Sequence, residues 1–186
     1  MSSTWKLNTG DVITIRPREP DDDRFIVSGW SSSYRTSRDL SFVQMDRYAD
    51  TMHGVVASVL ARPRTEVLVA DGSIMPRWGF LAFERSEVGA PPIVMYTYVA
   101  QPYRRRGVAR GLFASAGIDP ALPFEYAART QASWELLHIH RKAPLARYNP
   151  LRARFAEEEE RHVEEERSSK RTPVVEHRRG GIRSGG

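Results

Sequence analysis

A chain of 186 residues, 40% of them hydrophobic and 27% charged, has room for one domain with a buried core and the composition of a globular protein. It contains no cysteine, which excludes disulfides, thiolate metal sites and a cysteine nucleophile. No apolar run approaches the roughly 20 residues of a membrane span, and residues 1–8 lack the apolar stretch of a secretory signal, so no membrane is expected and a cytoplasmic location follows. The net charge of +5 is unevenly spread. Glu157 to the end holds eight acidic and seven basic residues, leaving 21 basic and 15 acidic in residues 1–156, a net of +6 there. A body of that charge suits nucleic acid or a ligand carrying several phosphates.

In chain order, Val12–Arg16 alternates and is β-branched, which predicts a strand stopped at Pro17. Asp21, Asp22 and Asp23 ahead of Phe25 and Ile26 predict a short helix over 19–30 with acids in its first turn. Ser31–Arg35 reads as a loop. Met45, Tyr48, Ala49, Met52, Val56, Val59 and Leu60 recur on one helical face, and Pro63 should end that helix. Three strands are expected at Glu66–Ala70, Trp78–Glu84 and Ile93–Ala100, separated by Asp71-Gly72 and by Gly89–Pro92. Arg104–Ala116 predicts a helix closed by Gly117. Phe124–Ala128 predicts a strand and Gln131–Lys142 a helix halted before Pro144. Beyond Phe155 an acidic run and a Ser/Arg/Gly-rich end follow, so residues 1–155 form the expected domain and 156–186 a charged tail.

The segment from Val94 to Phe113 carries the chemistry. An apolar strand runs into a basic, glycine-containing loop and then an amphipathic helix. Helix starts leave N–H groups unpaired and partially positive, which suits phosphate. Gly107 removes a Cβ from the approach, Ala109 is small, and Arg104, Arg105 and Arg106 add charge. The same arginines could serve a solvated face or a nucleic-acid contact. Neither a P-loop nor a G-x-G-x-x-G fingerprint is present.

Residues 98–109, Tyr-Val-Ala-Gln-Pro-Tyr-Arg-Arg-Arg-Gly-Val-Ala, resemble the acetyl-CoA-binding motif of the GNAT superfamily of N-acetyltransferases. That motif reads Q/R-x-x-G-x-G/A and is matched by Arg104, Gly107 and Ala109 after the Tyr103-Arg104 pair. The resemblance covers roughly residues 12–150. It implies an α/β fold with a mixed, mostly antiparallel central sheet flanked by helices, and acetyl-CoA as cosubstrate. Backbone groups of Tyr98, Val99 and Ala100 would bond the pantetheine arm. Amides of Arg105, Arg106, Gly107, Val108, Ala109 and Arg110 would cradle the pyrophosphate. The strand Ile93–Ala100 and the strand Phe124–Ala128 would splay apart and admit the thioester beside Val99.

Direct attack by an amine is the implied reaction, with a backbone N–H on the strand Ile93–Ala100 stabilising the oxyanion. The family's usual tyrosine acid is replaced: aligning Arg141–Leu145 with the end of that motif puts His140 in its slot and Pro144 where glycine is usual. His140 and Tyr148 are the candidate acids. Glu84 or Glu125 is the candidate base. Trp30, Tyr34 and Tyr96, with Tyr98, are the aromatic candidates for the acceptor pocket, and each could equally pack the core. His138 and His140, two apart on the expected helix, point about 200° apart and cannot share a metal, though on a strand they could; no metal is expected. The acceptor is an amine on a small molecule or a protein, and a homodimer is compatible with the resemblance. Two alternatives stand beside the enzyme: a degenerate CoA-binding or interaction protein, and a nucleic-acid-binding accessory protein. Nucleic acid is the disfavoured partner, because the stacked aromatics and known modules are missing.

Overall fold

The computed structural model describes residues 2–37, 44–73, 75–85, 90–128 and 145–149. The chain divides into units Met1–Ala153 and Arg154–Gly186, and the second lies wholly outside the described residues. The first unit contains a seven-stranded sheet in simple chain order. Its strands are β1 (Ser3–Lys6), β2 (Val12–Pro17), β3 (Thr65–Gly72), β4 (Gly79–Glu84), β5 (Ile93–Val99), β6 (Phe124–Tyr126) and β7 (Ala146–Tyr148). The first four pairings are antiparallel and the last two parallel. The fold is therefore α/β, with a mixed, mostly antiparallel sheet. None of the helices among the described residues is long and apolar enough to cross a membrane.

Helices α1 (Asp23–Ser37) and α2 (Met45–Ala61) cover one face, and α3 (Val108–Ser115) covers the other. Ile26, Trp30, Met52, Val56 and Val59 meet Phe80 and Ala82 on the first face, while Val108, Leu112 and Phe113 meet Leu81 and Phe83 on the second. Alternate residues of β4 thus enter two cores, which explains a strand apolar throughout. On α2 the expected stripe holds at Tyr48, Met52, Val56 and Val59, which are buried, with Leu60 half-buried, whereas Met45 and Ala49 are exposed.

Four elements differ from expectation. Ser31–Arg35 is not a loop but continues α1 to Ser37. The Ser32 and Thr36 hydroxyls donate to the carbonyls of Ser28 and Ser32, four residues back, and Ser33 reaches the Tyr96 hydroxyl at 2.7 Å, so tertiary contact holds a weak helix former in place. Strand β1, polar and short, precedes the first expected strand and is held by β2 and by Trp5, whose ring packs on Gly111 of α3. Strand β7 was not foreseen. Helix α3 begins at Val108 rather than Arg104, because Arg105 has φ 63° and Gly107 φ 100°, values that no right-handed helix residue adopts. The expected helix Gln131–Lys142 lies outside the described residues.

A buried ionic network fixes the start of α1. Asp22, with no side-chain exposure, accepts from Arg16 Nη1 at 2.6 Å, Arg77 Nε at 2.8 Å and the Glu19 N–H at 2.9 Å. Arg16 Nε donates to Asp71 at 2.7 Å. Burial pushes the Asp22 carboxyl upward, but the donors from Arg16 and Arg77 outweigh it and hold it well below the ordinary carboxylate range. A depressed folded pKa stabilises the protein fully above the unfolded value of 3.8, and that contribution is lost as pH falls below it. Asp22→Ala, which takes the carboxylate from the Arg77 guanidinium and one of two from that of Arg16, should cost about 3–5 kcal/mol at pH 7. Urea unfolding at pH 7 and pH 3 checks this: the variant's deficit should shrink at the lower pH, and an equal deficit at both would remove the ionic explanation.

Candidate active site

The site begins with a miscount between neighbouring strands. Ala82 pairs with Tyr96 but Phe83 pairs with Val94, so Met95 is an extra residue in β5, a β-bulge. Its effect on facing is visible in the cores. Val94 belongs to the α3 side, Met95 and Tyr96 both to the α1 side, and the alternation then resumes with Tyr98 on the α1 side and Val99 on the α3 side.

The bulge also redirects the backbone. Before it, the Val94 carbonyl accepts from the Ala127 N–H at 2.9 Å and Pro92 from Glu125 at 2.9 Å. The pairing of β5 with β6 covers Ile93 and Val94 only. Beyond the bulge the Ala100 N–H is donated to the Trp78 carbonyl at 2.9 Å, on the β4 side. Alternation therefore turns Tyr98 toward β4 and Thr97 and Val99 away from it, along the length where β6 is no longer paired. Arg104 Nε donates to the Val99 carbonyl at 3.0 Å, which fits that orientation. Of the three residues expected to serve a pantetheine arm, Val99 faces the opening while the Ala100 N–H is taken by β4. Thr97 joins Val99 there. No sequence pattern marks Thr97, because its facing depends on the register with β4.

The strand then enters a one-turn 3₁₀ helix at Gln101–Tyr103 and a turn at 104–107. Gly107 is the N-cap of α3, and no side chain caps the helix. Left-handed backbone at Arg105 and Gly107 curls the loop ahead of a helix start whose N–H groups lack a side-chain acceptor. Arg104, Arg105 and Arg110 are exposed, Arg106 and Ala109 half-buried, and Val108 is buried under α3. Arg106 lies 3.9 Å from Asp11, and its carbonyl accepts from the Asn8 N–H at 2.9 Å. The turn Asn8-Thr-Gly-Asp thus abuts the loop, a neighbour that its own turn-forming residues announce only as a turn.

The other candidates fall in three places. Trp30 and Tyr96 are core rings, 5% and 2% exposed, stacked at 4.4 Å. Burial raises the Tyr96 phenol above its ordinary value, against a hydrogen bond shared with Ser33, so it stays protonated. Tyr34 is half-buried beside them. On the same face a cleft of about 460 Å³ opens between α1 and the β3–β4 turn, lined by Arg24, Phe25, Ser28, Arg77 and Tyr98 among others. Glu84 pairs with Arg62 at 3.3 Å, and Glu125 accepts from Asn149 at 3.2 Å; both sit at the end of β5 where β6 is paired. Tyr148 ends β7 with its ring 5.4 Å from Tyr126. His140 and Pro144 lie outside the described residues. No cluster that could hold a metal occurs among the described residues.

Solved structures that resemble this chain include acetyltransferases. One from Corynebacterium glutamicum, described as a histone acetyltransferase and related acetyltransferase, is 13% identical at TM-score 0.49, over 67% of this chain and 81% of its own. The aminoglycoside N-acetyltransferase AAC(6')-Iy in complex with CoA is 13% identical at TM-score 0.47, over 71% and 86%. A GNAT-family acetyltransferase from Staphylococcus aureus is 15% identical at TM-score 0.43, over 55% and 86%. No protein-family model and no curated protein matches the chain by sequence. At such identities what bears on function is the chain's own geometry.

Gly107 is its most exacting position. At φ 100° any side chain is strained, and a Cβ would stand 3.3 Å from Asn8 Oδ1. Gly107→Glu should cost about 1–2 kcal/mol of stability through the left-handed backbone. If acetyl-CoA is held at this loop, the change should also abolish its binding by placing bulk and negative charge at the helix start. Calorimetric titration of the folded variant checks this, and unchanged affinity would move the ligand to another loop.

Proposed function

We propose that this chain is an N-acetyltransferase that passes the acetyl group of acetyl-CoA directly to an amine. One juxtaposition carries the reading: β5 parts from β6 after Val94 and, within a few residues, runs into a basic loop that opens a helix. Three features suit that loop to a pyrophosphate: an uncapped helix start, a glycine N-cap without Cβ, and flanking guanidiniums. Amides from Arg105 to Arg110 would hold the phosphates, with Arg104 adding charge. Val99 and Thr97, turned to the opening, would bond the pantetheine arm. Bound there, acetyl-CoA supplies the activated acyl group.

The rest is the chain's own contribution. The parted strands hold the reacting carbon between walls that limit water. An outward backbone N–H on β5, from Thr97 or Val99, would donate to the carbonyl oxygen as negative charge develops. The acceptor amine must arrive neutral, losing its proton to water or to Glu84 or Glu125. His140 or Tyr148 would return a proton to the departing sulfur. Tyr34, half-buried, would face the acceptor, backed by the core rings of Trp30 and Tyr96, with an amine-bearing small molecule or protein as substrate. We assign this activity to residues 1–155 and treat 156–186 as a charged tail outside it. A second reading, CoA binding without turnover, draws on the departures at His140 and Pro144.

Titration with acetyl-CoA, CoA and a short DNA duplex separates the readings. Acetyl-CoA binding with slow hydrolysis supports the enzyme, CoA binding without turnover the binding protein, and salt-sensitive DNA binding overturns both. If His140 is the acid, activity should fall as pH rises through its pKa, and His140→Phe should lower kcat by about 10²–10⁴-fold at nearly unchanged acetyl-CoA affinity. A loss under about threefold, set against that range, removes His140 from the chemistry and passes the role to Tyr148, for which Tyr148→Phe is the parallel test.

A further inference from the structure

Trp78 stands between the last residue of the β3–β4 turn and the first of β4. Its ring lies flat on Tyr103, with centroids 4.0 Å apart and planes 5° from parallel. Tyr103 is the last residue before the 104–107 turn, and its other neighbour is Arg106, whose guanidinium carbon lies 5.9 Å from the ring centre. The Trp78 carbonyl also accepts from the Ala100 N–H at 2.9 Å, where the chain leaves β5. Trp78 therefore grips the loop twice, by backbone at its root and by ring at its middle. The indole fits because Gly72 is bare: a Cβ there would lie 2.3 Å from it.

Two further facts sharpen the role. Trp78 is 9% exposed, yet its Nε1 meets no hydrogen-bond partner among the described residues. A buried N–H without a partner is a cost rather than a gain, so the ring surface and not the donor accounts for a tryptophan here. Two residues after Tyr103, Arg105 is held at φ 63°, a conformation worth about 1–2 kcal/mol of strain that persists only where the surroundings over-determine it.

We propose that Trp78 is a positioning residue for the phosphate-binding loop: through its stack on Tyr103 it holds Arg105 and Gly107 in the left-handed geometry that aims the loop amides at the ligand. This rests on the reading of that loop as the pyrophosphate site. It predicts that any flat ring at 78 serves and that an aliphatic of similar bulk does not.

The test compares Trp78→Phe, Trp78→Leu and Tyr103→Leu, the last breaking the same stack from the half-buried side should Trp78→Leu fail to fold. The probes are adenosine 3′-phosphate 5′-diphosphate, which carries the phosphates of CoA without its arm, and pantetheine, which carries the arm without phosphates. Loss of the stack should weaken the phosphate probe about 3- to 10-fold, leave pantetheine unchanged, and speed amide exchange at 105–107, whereas Trp78→Phe should stay within about twofold of wild type. Trp78→Leu and Tyr103→Leu together should weaken the phosphate probe no more than either alone. Wild-type affinity for the phosphate probe in folded Tyr103→Leu would overturn the proposal, as would equal weakening of both probes, the mark of a general structural role. Failure of the wild-type protein to bind the phosphate probe would instead overturn the reading of the loop, and this proposal with it.

Discussion

Ala82 faces Tyr96 across the sheet while its neighbour Phe83 faces Val94, so β5 carries Met95 as one residue too many for its partner. Every outward-facing group beyond that point changes parity. Without the extra residue, Tyr96 and Tyr98 would present their backbone to the β6 side and their rings to the α3 face. With it, both rings join the α1-side core, and Thr97 and Val99 turn their backbone toward the length of β5 along which β6 is unpaired. The opening and the packing of α1 thus follow from one insertion. Removing Met95 would reverse the facing of the rings and of the backbone together.

The cost of that arrangement is backbone polarity left outside the ladder, which must find a partner elsewhere. Part of it is met within the chain, since Arg104 Nε donates to the Val99 carbonyl. The contact also ties the first residue of the turn to the last of the strand. A ligand amide seeking the same carbonyl would compete with that guanidinium and free it toward phosphate. On the proposed reading, the residue at the motif's first position would have two partners in sequence, the Val99 carbonyl and then the ligand's phosphate.

How far residues alone reveal this depends on the range of the forces involved. The α2 stripe, its end before Pro63 and the Gly117 stop were legible because periodicity, proline and left-handed glycine act locally; Gly117 does adopt φ 71°. The loop Arg104–Gly107 was legible as a motif, yet the helix start was placed four residues early, since an arginine at φ 63° announces nothing in one dimension. Ser31–Arg35 reads as a loop because serines favour loops until a tertiary partner, here Tyr96, holds them in helix. β1 was missed because four mostly polar residues show no pattern, and their pairing depends on β2. The bulge lies beyond such reading altogether, because an extra residue exists only relative to a partner strand.

The β3–β4 turn joins the two halves of the molecule for an equally simple reason. Arg77 and Trp78 are consecutive and reach into opposite sides of the sheet. Arg77, left-handed at φ 61°, donates its side chain to buried Asp22 and its N–H to Asp71 at 2.7 Å. Trp78 turns into the α3-side core and onto Tyr103. The ionic network at the start of α1 therefore fixes the residue next to the one that grips the loop. An indole stacked on a surface loop would be free to shift if its own backbone could relax. Two carboxylates on Arg77 remove that freedom one residue away. Burial of Asp22, expensive in itself, thereby supports the residue beside the one that grips the loop.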